Sequence, residues 1–186
     1  MTGLKALWIP ILLSAVIVFI ASSIIHMLSG WHKNDFKPMP NEDKVRDALR
    51  PFSLPPGDYF IPRPGSTADL RSPEFLEKVK KGPVLVATVM KSEMTPMGRN
   101  LGLWFAYCVV VSKLAAYIVG RVLPPGTEYM EVFQMVSATA FMGYAVALWQ
   151  MSIWYQRSWA TTLRATVDGA VYALLTAGTF GWLWPK

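Results

Sequence analysis

The sequence has a single cysteine, Cys108, which lies inside a long apolar run. One cysteine excludes an intramolecular disulfide and any metal site built from several thiolates. The chain also lacks the short motifs of common enzymes, including GxSxG, the P-loop, HExxH and the dinucleotide-binding glycine pattern. We therefore predict no catalytic residue, no cofactor and no metal site, and we do not expect an enzyme.

Strong local charge is also missing. The formal net charge is +6, but the long polar stretch 30–98 holds nearly as many acidic as basic residues, so the excess of lysine and arginine flanks apolar runs instead. That distribution argues against a nucleic-acid partner and is typical of residues at the ends of membrane spans.

Four long apolar runs are present, at 6–28, 101–123, 132–155 and 161–184. Each is long enough to cross a hydrocarbon core of about 30 Å as a helix. They predict an all-α membrane protein with four transmembrane helices and one structured extramembrane loop. Its parts are helix 1 at 1–29, the polar loop at 30–98 and helices 2–4 at 99–186.

The first run competes with a cleaved signal peptide. It is longer than the usual apolar region of such a peptide and lacks a small-x-small cleavage site, which favours an uncleaved span. Lysine and arginine near the span ends predict that the polar loop is cytoplasmic and that both termini lie outside.

The polar stretch 30–98 contains ten of the chain's 14 prolines, which excludes one long helix. Short helices are predicted after Asn41 and from Ser72, where Ser-Pro-Glu is a typical helix start. Strands are predicted at 58–61 and 84–89, where they would form a small sheet. We expect a compact segment packed on the membrane surface.

The last run carries small residues at every fourth position: Ala165, Gly169, Ala173, Ala177 and Gly181. Such a stripe lets another helix approach closely. Because residues four apart drift by about 40° per step around a helix, the stripe favours contacts within the four-helix unit over a dimer interface, which stays the alternative.

Two charged residues lie inside the apolar runs, Lys113 and Asp168. Buried charges in a membrane are costly and are candidates for function. Arg164, one helical turn before Asp168, could neutralise it. Lys113 could reach Asp168 or extend to the interface. A structural pair, or a Lys113 that extends to the interface, is favoured over a proton or ion path.

Two further groups could ligate a metal. His26 and His32 flank the end of the first run, but Gly30 is expected to end the helix between them, and interfacial hydrogen bonding is favoured over metal binding. Met90, Met94 and Met97 offer thioethers that suit Cu(I), although a gap-filling role is the commoner use of methionine.

The segments WHKNDFKPMPNEDKVRDALRPFSLPPGDYFIPRP and LLTAGTFGWLWP resemble a family of small uncharacterised bacterial inner-membrane proteins. The resemblance implies a multi-pass protein of the bacterial inner membrane and assigns no functional residue. We expect an accessory or scaffold subunit that binds the lipid bilayer and either a membrane-protein partner or a second copy of itself. The alternatives are a transport or channel component using Asp168 and Lys113, and a copper-handling protein using Met90, Met94 and Met97.

Overall fold

A computed structural model describes residues 1–93 and 96–186. The chain forms two compact units, one made of Met1–Lys37 and Thr95–Lys186, the other of Pro38–Met94. The first contains the long helices and is called the helical unit. The second is called the small unit.

The helical unit begins with a 3-10 turn, Leu4–Leu7, that runs into helix α1, Trp8–Met27. The small unit follows and contributes α2, Glu42–Leu49, and α3, Pro73–Lys81. The helical unit then resumes with four more helices: α4 Met97–Val122, α5 Tyr129–Tyr144, α6 Trp149–Tyr155 and α7 Trp159–Trp182. A 3-10 turn, Val146–Leu148, joins α5 to α6, so the third apolar run is one broken helix.

Three of these segments are long and apolar enough to cross a membrane: Leu4–Met27, Met97–Val122 and Tyr129–Tyr155. They support the predicted membrane protein. Helix α7 has 24 residues, which is also sufficient length, but it is not one of the three. Its threonines, glycines, Arg164 and Asp168 make it the least apolar of the four predicted spans.

Helix α7 packs against both α1 and α5, and α4 packs against the same two helices. Ten residues of α7 are buried, more than in any other helix of the described part of the chain. The fully buried side chains of Leu7, Val119, Val132 and Phe180 form the centre of one apolar cluster. A second cluster surrounds Cys108. The helix that is least apolar by sequence is therefore the one that its neighbours cover most.

Two backbone contacts close the end of the helical unit that carries both termini. The Thr2 N–H donates to the Gly120 carbonyl at 2.6 Å, and the Gly126 N–H donates to the Pro185 carbonyl at 2.8 Å. The candidate site lies at the opposite end, where α1 stops and α4 begins.

The small unit contains α2 Glu42–Leu49, β1 Gly57–Ile61, α3 Pro73–Lys81 and β2 Leu85–Val89. The strands pair antiparallel, from Gly57 opposite Val89 to Ile61 opposite Leu85. The predicted small sheet is thus confirmed, and the chain is mostly helical rather than all-α. None of the residues described between 38 and 93 is fully buried.

The two short helices differ in how they start. The Ser72 hydroxyl accepts a hydrogen bond from the Phe75 N–H at 3.1 Å, with Pro73 in the first turn, as the sequence predicts. Asn41 precedes α2 as expected, but its backbone is left-handed at φ 51° and its side chain makes no capping bond.

Candidate functional site

The segment after α1 turns His32 back over the end of that helix. Gly30 has a positive φ of 64°, a conformation that glycine adopts without strain. Two successive turns follow, closed by hydrogen bonds from the Lys33 N–H to the Gly30 carbonyl and from the Asp35 N–H to the His32 carbonyl. As a result the rings of His26 and His32 stack with centroids 4.2 Å apart.

Asp35 binds His32 on one side and Arg164 of α7 on the other. Its Oδ2 lies 2.7 Å from His32 Nδ1, and its Oδ1 accepts from Arg164 Nε at 2.8 Å and lies 2.6 Å from the second guanidinium nitrogen. A carboxylate accepts hydrogen bonds only, so the proton of a neutral His32 ring sits on Nδ1. The other ring nitrogen, Nε2, is then an acceptor with a free lone pair.

That second nitrogen faces another carboxylate. His32 Nε2 and Asp168 Oδ2 are 2.8 Å apart, yet neither atom has a hydrogen-bond partner in the described part of the chain. Asp168 is only 5% exposed. Two buried acceptors in close contact are unfavourable unless a proton or a metal cation lies with them.

Hydrogen bonding decides the charge of Asp35. Burial alone would raise the pKa of this carboxyl, but the hydrogen bonds from His32 and Arg164 outweigh it and hold the pKa below its ordinary value. Asp35 is therefore an anion at neutral pH, paired with the Arg164 cation. This pair leaves the charge of Asp168 uncompensated by any arginine or lysine among the described residues.

The described part of the chain contains neither of the two ion pairs that the sequence suggests for Asp168, the one with Arg164 and the one with Lys113. Arg164 bonds to Asp35 rather than to Asp168 one turn away on the same helix, because the segment after α1 brings the Asp35 carboxylate to it. Lys113 is exposed on α4 and forms no ion pair within residues 1–93 and 96–186. Asp168 and Lys113 therefore do not pair.

The small-residue stripe lies largely against α5 of the same chain. A Cβ atom added at Gly169 would lie 2.7 Å from the Ala145 Cβ, and one at Gly181 would lie 2.7 Å from the Tyr129 ring. Ala173 and Ala177 are buried. Ala165 is only partly buried and borders a cavity instead.

Two of the three methionines of the copper-handling alternative lie among the described residues, and both are exposed. Met90 and Met97 are 80% and 70% exposed, and Met94 lies outside the described residues.

A cavity of about 350 Å³ lies beside His26 and Asp168. Its walls include four aromatic rings in a closed circuit, each touching two others. The centroid distances are 5.4 Å for Trp104–Tyr107, 5.9 Å for Tyr107–Tyr144, 5.6 Å for Tyr144–Tyr172 and 6.0 Å for Tyr172–Trp104. Because α1, α4, α5 and α7 each contribute a lining residue, the cavity belongs to the whole bundle.

Within residues 1–93 and 96–186, the side chains of His26, His32 and Asp168 form a group that could ligate a metal, and their ligand atoms all lie within 4.8 Å of one another. We call them the His–His–Asp centre. Two imidazoles and one carboxylate are a common donor set for zinc and for non-haem iron. All three residues stand out in the sequence, but their spacing does not join them, because the turns after Met27, which no spacing rule encodes, bring them together.

Comparison with protein-family models, with curated proteins and with solved structures finds no match to this chain.

Proposed function

We propose that this protein is a metal-binding integral membrane protein and that its His–His–Asp centre holds one divalent transition-metal ion. The observation that carries the proposal is the contact between His32 Nε2 and Asp168 Oδ2, two buried atoms 2.8 Å apart without a hydrogen-bond partner. A bound cation would satisfy both atoms at once.

The distance between these atoms suits coordination. Ligands about 2.0–2.1 Å from a metal are roughly 2.9 Å apart when they subtend a right angle, and roughly 3.3 Å apart at a tetrahedral angle. The observed 2.8 Å matches the first arrangement and needs a shift of about half an ångström for the second. His26 stacks on His32, so its ring must turn to point a nitrogen at the same ion. Because His26 is exposed, that rotation meets little resistance.

Asp35 supplies the support that metal-binding histidines usually have. A ligating histidine commonly donates its other ring N–H to a carboxylate, which fixes the ring and makes it a better ligand. Asp35 receives that bond from His32 at 2.7 Å and is itself held by Arg164.

The competing explanation is an ion-pair network in which a doubly protonated His32 bridges the two aspartates. It would place an Nε2–H between His32 and Asp168, but the contact lacks the direction of a hydrogen bond. A network of this kind would bind no metal, and this separates the two explanations experimentally.

The test is the binding of Zn²⁺ to purified protein in detergent, measured by competition with a chromogenic chelator. We expect one ion per chain in the wild type and at least a tenfold loss of affinity in Asp168→Asn, which keeps the size of the side chain. Asp47→Asn changes an exposed acid of the small unit and should bind like the wild type. Equal affinity in all three proteins would refute the centre, provided that the variants elute as the wild type does.

We also propose that α7 is a fourth span, which makes the chain a four-pass protein of the bacterial inner membrane, as the resemblance implies. Its length of 24 residues and its position against α1 and α5 support this. Inside a bundle, a helix needs less apolar surface than one that faces lipid on all sides.

A further inference from the structure

We propose that the cavity beside the His–His–Asp centre binds a fatty-acid-like monocarboxylate, with its carboxylate on the metal ion and its hydrocarbon chain between the aromatic rings. This inference rests on the proposed metal centre and names the ligand of that same site. The cavity contacts two of the three metal ligands, His26 and Asp168, so a ligand inside it reaches the ion directly.

The walls of the cavity favour a ligand with an apolar chain. Trp104 Nε1 already donates to the Ser22 hydroxyl at 2.7 Å, and the Tyr107 hydroxyl donates to the Gly143 carbonyl. The Tyr144 and Tyr172 hydroxyls are buried and without a partner among the described residues. Trp104 and Tyr107 therefore offer ring surface, and the hydroxyls of Tyr144 and Tyr172 are the unpaired polar atoms of the circuit. A volume of about 350 Å³ is within the usual range for small-molecule sites.

The charges of the metal ion and its protein ligands favour a head group with one negative charge. Asp35 is neutralised by Arg164 at 2.6 Å, so neither changes the net charge at the ion. Asp168 cancels one of the two charges of a divalent ion, and the two histidines bind in their neutral form. One positive charge remains. A monocarboxylate cancels this positive charge. A phosphate monoester would make the site negative, and a neutral alcohol would leave the positive charge uncompensated.

The position of the cavity gives such a ligand a route of entry. The cavity lies at the end of the bundle where α1 stops and α4 begins, and its edge includes the exposed His26 and Tyr107, which is 40% exposed. A polar head group that enters at this edge reaches the two metal ligands that line the cavity, His26 and Asp168. Three protein ligands also leave open coordination positions, as metal sites that bind small ligands require.

The test uses Co²⁺ in place of the native ion, because the visible spectrum of cobalt changes when its ligands change. Protein in maltoside detergent is loaded with Co²⁺ and titrated with octanoate, acetate or octanol. We expect saturable spectral change with octanoate, none with octanol, and a half-saturation point for acetate roughly 200-fold higher, the value for about four buried methylene groups.

Cavity-filling variants locate the binding. Ala165→Phe and Leu148→Trp each place a large ring in the cavity without replacing a metal ligand. Either variant that retains the cobalt spectrum should lose the response to octanoate. A wild-type cobalt spectrum that octanoate leaves unchanged would overturn the ligand proposal while the metal centre stands. Equal half-saturation by octanoate and acetate, or an unaltered response in the filled variants, would overturn it too. Absence of any cobalt spectrum would instead overturn the metal centre, and the ligand proposal with it.

Discussion

His32 is the residue on which the centre depends, because each of its ring nitrogens faces a carboxylate. Asp35 fixes the Nδ1 proton at 2.7 Å and Asp168 meets Nε2 at 2.8 Å. A neutral imidazole can donate to only one of them. His32 Nε2 then has no proton to donate to Asp168. A cation that binds both His32 Nε2 and Asp168 Oδ2 would therefore be stabilised.

Replacing Asp35 tests this support without touching a proposed ligand. In Asp35→Asn the hydrogen bond to His32 is weaker and the salt bridge to Arg164 is lost, so His32 is less firmly oriented. Zn²⁺ affinity should fall by roughly 10–100-fold, measured by chelator competition. The control is Asp43→Asn, which changes a carboxylate that is 95% exposed and should have no effect. Unchanged affinity in Asp35→Asn would mean that the ring is held by other contacts.

The sequence identifies the individual residues of the site better than their arrangement. Asp168 stands out because a carboxylate is rare in an apolar run. His26, His32 and Arg164 are also visible from their positions near span ends. Their arrangement is not visible, since it depends on two turns after Met27 and on which helix faces them. A helical spacing rule pairs Arg164 with Asp168, whereas the folded chain pairs Arg164 with Asp35.

At the scale of elements, α7 is the helix around which the bundle is built. It contributes Asp168 and Arg164 to the site and packs on both α1 and α5. Its small residues allow the close approach of α5 that places the aromatic circuit next to Asp168. The geometry of the site therefore depends on the packing of α7.

Enlarging Gly169 should disrupt that packing. The Cβ atom of any other residue there would meet Ala145 at 2.7 Å and backbone atoms at 3.3 Å. Since packed helices cannot easily move apart, Gly169→Leu should lower the free energy of unfolding by about 1–3 kcal/mol. The thermal unfolding midpoint in detergent should fall accordingly. Gly102→Leu is the matched control, because a Cβ at Gly102 meets nothing within 4 Å. Equal midpoints for both variants would contradict close α5–α7 packing.

Elements with strong local signals were predicted well. The start of α3 at Ser72 and Pro73 and the pairing of the two strands follow from local residue preferences. The break between α5 and α6 was missed. Residues 132–155 form one apolar run in the sequence. The helix breaks at Ala145, a position without the proline or glycine that would predict a break.

At the scale of the whole molecule, the number of spans decides on which sides the termini lie. With four spans both ends are on one side, and with three they are on opposite sides. Single cysteines at Lys5→Cys and Lys186→Cys can be probed with a membrane-impermeant maleimide in cells, because native Cys108 is fully buried. We expect both positions to be labelled from outside. Labelling of one position only would show that α7 does not cross the membrane.

The small unit should be the least stable part of the chain. None of its residues described between 38 and 93 is fully buried, and a two-stranded sheet is only marginally stable alone. Hydrogen exchange of the full-length protein should therefore be fast in β1 and β2 and slow in the buried part of α7. Comparable protection in both would mean that another surface covers the small unit.

The central claim is that His26, His32 and Asp168 bind one metal ion, and X-ray absorption at the zinc edge tests it most directly. The zinc-loaded wild type should show a first shell near 2.0–2.1 Å with the outer-shell scattering of two imidazole rings. His32→Gln should lose the scattering of one ring. A spectrum without imidazole scattering, or a protein that retains no zinc, would contradict the account.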